Sequence, residues 1–440
     1  HPGMQGVQAA SILALTVGLA LTRPNVGRLR VEPHMAALLG AVLTLAVGLV
    51  SPPEAYVALA ALVPPLVTIA SLMAITLVAE RAGLFRLVAW KMARASKGDG
   101  RTLFRNLFLT GTLTGAVFTN DAAVLIYTPM VYGLVEDLSE ESWGKANRLP
   151  YYFAVLYVAN LVGPLVISNP INIIVADWFD IGFTTYAVWM VLPALASIFV
   201  SYVGLRIVFR KTIPDTFALT GSARPARIDR RFATVTAVIL GLTLVGFFTE
   251  QLTGIHTAYV ALAGALVLVT LYAYQAGGDP ATIVRGIGWD VLVFVIGIFV
   301  VATGLREAGL TELLGGMIAD AMTGGTEVGI MVTGFLAGSA SSVLNNHPVA
   351  QIMAMSIVEL DLAEGVRRTL AFAALIGGDL GPKMLPIGSL AALMWFRMLR
   401  DRGVDVSYSL YIKIGIPITL AAILAALLVL EAQVRFFGTV

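Results

Sequence analysis

Four short stretches concentrate the residues able to do chemistry. They read FTNDAAVLIYTP from Phe118 to Pro129, SSVLNNHPVA from Ser341 to Ala350, NLVGPLVISNPINIIVAD from Asn160 to Asp177, and GGDLGPKMLPIGSLAALMW from Gly377 to Trp395. Each sets Asn, Ser, Gly or Pro inside apolar surroundings, where a helix would stop. A broken helix offers free amides at one end and free carbonyls at the other. Asparagine side chains both donate and accept. That mix suits a small neutral polyhydroxy solute or a dehydrated ion. None of the polar centres holds an Arg, so no clamp for a large anion is assembled. The ionisable groups in these apolar surroundings are Asp121, His347, Asp379 and Lys383, with Asp177 and Asp290 nearer the edges. A charge at a bilayer centre costs roughly 2.5–3.5 kcal/mol or more, so such groups usually line a substrate or proton path. Asp121 and Asp379 are the strongest candidates for that role. Asp290, at a span start, reads as structural, and Asp177 stands between the two readings.

The elements that must position these residues are set by hydropathy. Of 440 residues, 58% are apolar and 13% charged, against roughly 25% charged in soluble domains. This excludes a soluble globular enzyme and a disordered chain. Net charge is +2, which gives no footprint for nucleic acid. Cysteine is absent, which excludes disulfides, thiolate metal sites and thiol nucleophiles. A span needs about 20 mainly apolar residues. Simple spans are expected at 8–22, 34–50, 55–80, 184–210, 232–250, 256–275, 288–306 and 409–432. Irregular backbone is tolerated at membrane depth only inside protein or beside a watery cavity. Segments 103–136 and 327–359 therefore read as re-entrant hairpins, and 150–178 and 367–400 as broken spans. The fold class is an all-α polytopic membrane protein of ten spans and two hairpins.

The two halves echo each other. Ala82-Gly83-Leu84 precedes the first hairpin and Ala308-Gly309-Leu310 the second, and the same spacing sets Asn120 on Asn346 and Asp121 on His347. Further on, Gly163-Pro164 is matched to Gly381-Pro382, and Pro170-Ile171 to Pro386-Ile387. Five spans per half invert the repeats, the signature of secondary transporters with a midplane site. Expected domains are 4–205, the first repeat; 206–231, a cytoplasmic linker; and 232–440, the second repeat. Met4 is the expected natural start. Loops placed on the linker's side carry most of the 29 Lys and Arg, the other side only Arg306, Arg367, Arg368 and Arg435. By the positive-inside rule both termini are non-cytoplasmic. Segment 80–105 suits an amphipathic helix on the inner leaflet lipid.

At these motifs the sequence resembles the arsenite/antimonite permeases (ArsB type) of the ion transporter superfamily. The matching elements are Asn120-Asp121 with Ala122-Ala123 and Thr128-Pro129, then Asn345-Asn346-His347-Pro348. Asp379 to Lys383 with Pro386 to Leu390 and Leu393-Met394-Trp395 form the third, and Ser168-Asn169-Pro170-Ile171-Asn172 with Ala176-Asp177 the fourth. His347, where the family pattern has an apolar residue, and Pro170 depart from it. The resemblance implies a multi-pass inner-membrane exporter of trivalent arsenite or antimonite, in exchange for protons. It implies no cofactor and, in some systems, a cytoplasmic arsenical-pump ATPase as partner. A scaffold would carry a moving unit of hairpins and broken helices. On this reading Asn120, Ser168, Asn169, Asn172, Asn345, Asn346, Gly388 and Ser389 bind substrate. Asp121 and Asp379 accept protons, Lys383 pairs with Asp379, and His347 is a third titrating group. A sodium/proton antiporter on the same fold is the alternative. An intramembrane hydrolase using Ser341 or Ser342 with His347 is a remote one.

Overall fold

The computed structural model describes residues 2–138, 143–158, 161–218 and 228–440. Part of the linker, 219–227, and the side chain of Asp121 lie outside the described residues. The two halves run through one order of elements. The first has helices Pro2–Thr22, Pro33–Ala46 and Val63–Arg81, a surface helix Leu84–Ala95, and a hairpin of Gly100–Val117 and Asn120–Leu138. An interrupted element follows (Lys145–Val158, the 3-10 turn Val166–Ser168, then Pro170–Trp178), and Phe183–Val208 ends the half. The second has Arg230–Phe248, Thr257–Ala276, Trp289–Glu307, the surface helix Leu310–Met322, and a hairpin of Thr326–Leu344 and Asn346–Val358. Its interrupted element comprises Glu364–Leu380, the turns Gly381–Lys383 and Pro386–Gly388, and Leu390–Arg400. Tyr408–Phe437 closes the chain. Eight helices among the described residues are long and apolar enough to cross a membrane.

Local chemistry explains where the elements stop. Gly83 and Gly309, at φ +78° and +80°, open the two surface helices in a left-handed conformation that other residues avoid. Helix Leu84–Ala95 buries Phe85, Ala89 and Ala93 at a spacing of four and exposes Arg86, Lys91 and Arg94, as expected of an amphipathic surface helix. The expected span 55–80 is instead two helices, Pro52–Ala61 and Val63–Arg81. Pro64 and Pro65 have no N–H to donate and fit only in a first turn, so a new helix begins there. The expected span 34–50 is helical only to Ala46, over 14 residues, about 21 Å and short of a full crossing.

Contacts between the halves come in reciprocal pairs. Pro33–Ala46 packs on Trp289–Glu307, and Val63–Arg81 on Thr257–Ala276. Asn120–Leu138 packs on Leu390–Arg400, and Asn346–Val358 on Pro170–Trp178. The last helices, Phe183–Val208 and Tyr408–Phe437, pack on each other. Exchanging the halves maps this set onto itself, as a pseudo-two-fold axis requires. The sequence match of Pro170 to Pro386 does not survive it. Pro386 opens a 3-10 turn, whereas Pro170 opens an α-helix. The structural partners are Val166–Ser168 with Pro386–Gly388, and Asn169 with Ser389, both extended N-caps. The C-terminal segment is tied to the second repeat, and that repeat to the corner after the first broken helix. Val440 donates its N–H to Thr369, Arg435 pairs with Glu327, and Arg368 reaches the carbonyls of Phe179 and Asp180.

Candidate functional site at the hairpin tips

Each hairpin turns where its backbone leaves the helix. Phe118 is extended at the end of Gly100–Val117. Asn345 sits at φ +74°, ψ 153°, and its side chain accepts from the His347 N–H, capping the returning arm. A strained non-glycine residue at the point of a hairpin is a cost usually carried at functional sites.

The tips leave polar atoms unsatisfied. Asn120, 3% exposed, has no hydrogen-bond partner for either amide atom among the described residues. The hydroxyl of Thr119 beside it is likewise unpartnered. At the other tip, His347 turns Nδ1 toward the oxygens of Asn345 and Asn346, at 3.3 and 3.0 Å, leaving Nε2 buried and without a partner among the described residues. Gln351, one helical turn beyond His347, has neither amide atom bonded among the described residues. Buried polar groups without partners cost about 1–3 kcal/mol each, so their recurrence at both tips points to a ligand. Thr119 and Gln351 escaped the sequence reading. Thr119 adjoins Asn120, and Gln351 lies at i+4 from His347 on the same helix face.

Behind the tips the broken helices are tied together by Asp379. Its carboxylate accepts from the Gly163 N–H at 3.2 Å, from Asn169 Nδ2 at 3.0 Å and from Asn172 Nδ2 at 3.2 Å. One repeat thus supplies the carboxyl group and the other the donors. Asn169 also caps its own helix, its oxygen accepting from the Ile171 N–H. The expected Lys383–Asp379 pair makes no direct salt bridge. The Lys383 Nζ has no hydrogen-bond partner among the described residues and lies 5.0 Å from the centre of the Tyr157 ring, a cation–π placement.

Other expected contacts are built into the scaffold of the site. Ser168 donates to the Ala116 carbonyl of the first hairpin, and Ser389 caps Leu390–Arg400 through the Ala392 N–H. At Gly388 a Cβ would come 2.5 Å from the Ser342 carbonyl oxygen, so this residue permits close packing on the second hairpin. Ser341 donates to the carbonyls of Ala337 and Gly338, and Ser342 to that of Ser339. With both hydroxyls turned into their own helix, no serine–histidine pair forms, and the hydrolase reading falls.

A cavity of about 870 Å³ reaches the tips from one face. Its floor includes Thr119 and His347, its walls Met73, Thr76 and Phe294, and its mouth Arg23, Glu32, Arg397 and Asp401. Asp290, expected to be structural, lines it too. On the opposite face a cavity of about 640 Å³ is lined by Val57, Ile174, Trp178, Thr303 and Met355, among others, and stops short of the tips. The pseudo-two-fold exchanges the walls of the two cavities. Leu390–Arg400 and Asn120–Leu138 line the first, Pro170–Trp178 and Asn346–Val358 the second.

Paired hairpins and broken helices around a central polar site define a polytopic helical membrane protein. The solved structure of the YdaH transporter of Alcanivorax borkumensis shares this fold, with a TM-score of 0.58 at 17% identity over 99% of this chain and 98% of that one. The family described as arsenical pump membrane protein matches residues 9–433. The arsenical pump membrane protein of Escherichia coli is 33% identical over 97% of this chain and 99% of its own. That of Yersinia enterocolitica is 33% identical over 97% and 98%. The chain belongs to the arsenical pump membrane protein family, a multi-pass family of bacterial membranes.

Proposed function

We propose that this protein exports trivalent arsenite and antimonite as neutral trihydroxides, in exchange for protons. The observation that carries the reading is the cavity lined by one residue of each hairpin tip, Thr119 and His347, both of which carry a buried polar atom without a partner among the described residues. A trihydroxide offers three groups that each donate and accept. The Thr119 hydroxyl, both ends of the Asn120 amide and His347 Nε2 complement it without a charge. With no thiolate in the chain, capture rests on hydrogen bonds and release stays fast. Asn345 and Asn346 hold the histidine, and Asn169 and Asn172 couple the site to Asp379. Asp379 carries the exchanged proton. Asp121 follows Asn120 at the first tip and is the second candidate carrier.

The wide cavity is the cytoplasmic vestibule on this reading, since the basic loops surround its mouth, and both termini are outside. A cytoplasmic arsenical-pump ATPase, where one is present, would dock on that face. The repeats 4–205 and 232–440, joined by 206–231, alternate access to the site.

Arsenite uptake into everted membrane vesicles, with and without an imposed pH gradient, tests the proposal. Uptake driven by an acid interior supports it. Uptake that ignores the proton gradient and follows sodium would establish the sodium-coupled alternative. For orientation, a cysteine at Thr253 should react with a membrane-impermeant maleimide in intact cells, and one at Arg28 should not; the reverse pattern overturns the assignment.

A further inference from the structure

The face opposite the open vestibule is held by a joint that the proposed substrate site does not use. The corner 177–185, which follows the first broken helix, meets the loop 248–257 between two spans of the other repeat. Glu250 accepts from the Phe183 N–H at 3.0 Å, and through its other oxygen from the N–H and hydroxyl of Thr257. His256 Nε2 lies 3.3 Å from Asp177, while its Nδ1 accepts from the Ala258 N–H, which makes Nε2 the protonated nitrogen. Thr184 donates to the Phe248 carbonyl, Gln251 bonds Thr185, and Phe183 packs on the rings of Phe247 and Phe248.

The pseudo-two-fold places loop 23–32 and corner 400–408 as the counterpart on the vestibule face. Among the described residues no hydrogen bond or ion pair joins those two. The cavity of about 870 Å³ separates them, with Arg23, Arg30 and Glu32 on one rim and Arg397, Arg400, Asp401 and Tyr408 on the other. One joint is made where its symmetry mate is open. A fixed structural contact gives no reason for that difference; a device that closes at one end while the other opens does.

We propose that the contact between 177–185 and 248–257, clasped by Glu250 and by Asp177 with His256, is a latch that shuts this face while the other is open. Loop 23–32 and corner 400–408 form the alternate latch, in which Glu32 and Asp401 meet basic residues of the opposing rim. This rests on the alternating-access part of the proposed function and is independent of the substrate.

The natural absence of cysteine makes the test clean. Single cysteines are placed at Met355, in the smaller cavity, and at Ile126, in the larger one, with and without Glu250→Gln or His256→Ala. Maleimide modification rates are measured on the purified full-length protein in detergent, without substrate. Weakening the latch should speed modification at Met355→Cys and slow it at Ile126→Cys. The expected change is about tenfold at the former, equivalent to about 1.4 kcal/mol. Rates that stay unchanged at both sites in both variants, or rise at both together as in general loosening, overturn the proposal. Since labelling is read without arsenite, failure here leaves the substrate reading standing.

Discussion

Replacing Asp379 by Asn separates the carboxylate's charge from its shape. The carboxylate holds three donors: Oδ2 takes Gly163 and Asn172, and Oδ1 takes Asn169. An Asn side chain retains one acceptor oxygen. Set at the Oδ2 position, it keeps two contacts as neutral hydrogen bonds and turns its NH2 toward the amide of Asn169. A hydrogen bond to a charged group is worth about 1.5–3 kcal/mol, against about 0.5–1.5 for a neutral one. The loosened joint therefore forfeits several kcal/mol of attraction. Removing a charge from a site only 1% exposed returns a desolvation cost of similar size. Net stability should shift by only about 1–2 kcal/mol, a few degrees in unfolding temperature. Transport behaves differently, because Asn does not titrate. Arsenite uptake driven by a pH gradient should vanish in Asp379→Asn vesicles, while arsenite exchange at equal pH survives. Asn169→Ala is the control. It removes one donor, leaves the proton carrier, and should weaken exchange about 10- to 150-fold at most with gradient coupling intact. Gradient-driven uptake by Asp379→Asn at the wild-type rate would refute the assignment. So would a collapse of folding that takes exchange with it, since Asp379 would then be a structural tie alone.

Asn120→Leu should abolish arsenite transport yet leave thermal stability unchanged or raised by about 1–3 kcal/mol, because it removes a buried amide without partners; a clear loss of stability on an unfolding scan would mean the amide is structural. Gly388→Ala drives a methyl against the Ser342 carbonyl, so expression or unfolding temperature should fall by the equivalent of about 1–3 kcal/mol, whatever happens to arsenite affinity in the folded fraction. A folded, fully stable Gly388→Ala protein with weakened arsenite binding would instead return Gly388 to the substrate-binding set.

The sequence by itself determines the class of this protein and the location of its breaks. Apolar runs too long for soluble cores demand lipid, and Asn, Gly and Pro inside them demand irregular backbone that only a protein interior tolerates. Local chemistry was legible to single residues where one side chain decides: Gly83 and Gly309 supply left-handed caps, and the amphipathic spacing of 84–95 supplies its surface helix. What remained illegible depends on which distant segments meet. Asp379 and Lys383, a turn apart in sequence, suggested an ion pair, but donors more than 200 residues away in the other repeat claim the carboxylate. For Ser168 and Ser389 the sequence offered hydroxyls at a helix break, and only the position of the neighbouring backbone shows that Ser168 donates to the Ala116 carbonyl and that Ser389 caps its helix. Thr119 and Gln351 are ordinary residue types, distinguished only by being buried without partners, which is a property of the assembled fold. Short-range order is fixed by backbone sterics and hydropathy along the chain; the pairing of carboxylate with amide, and the opening of one face against the other, are fixed by how two inverted halves pack.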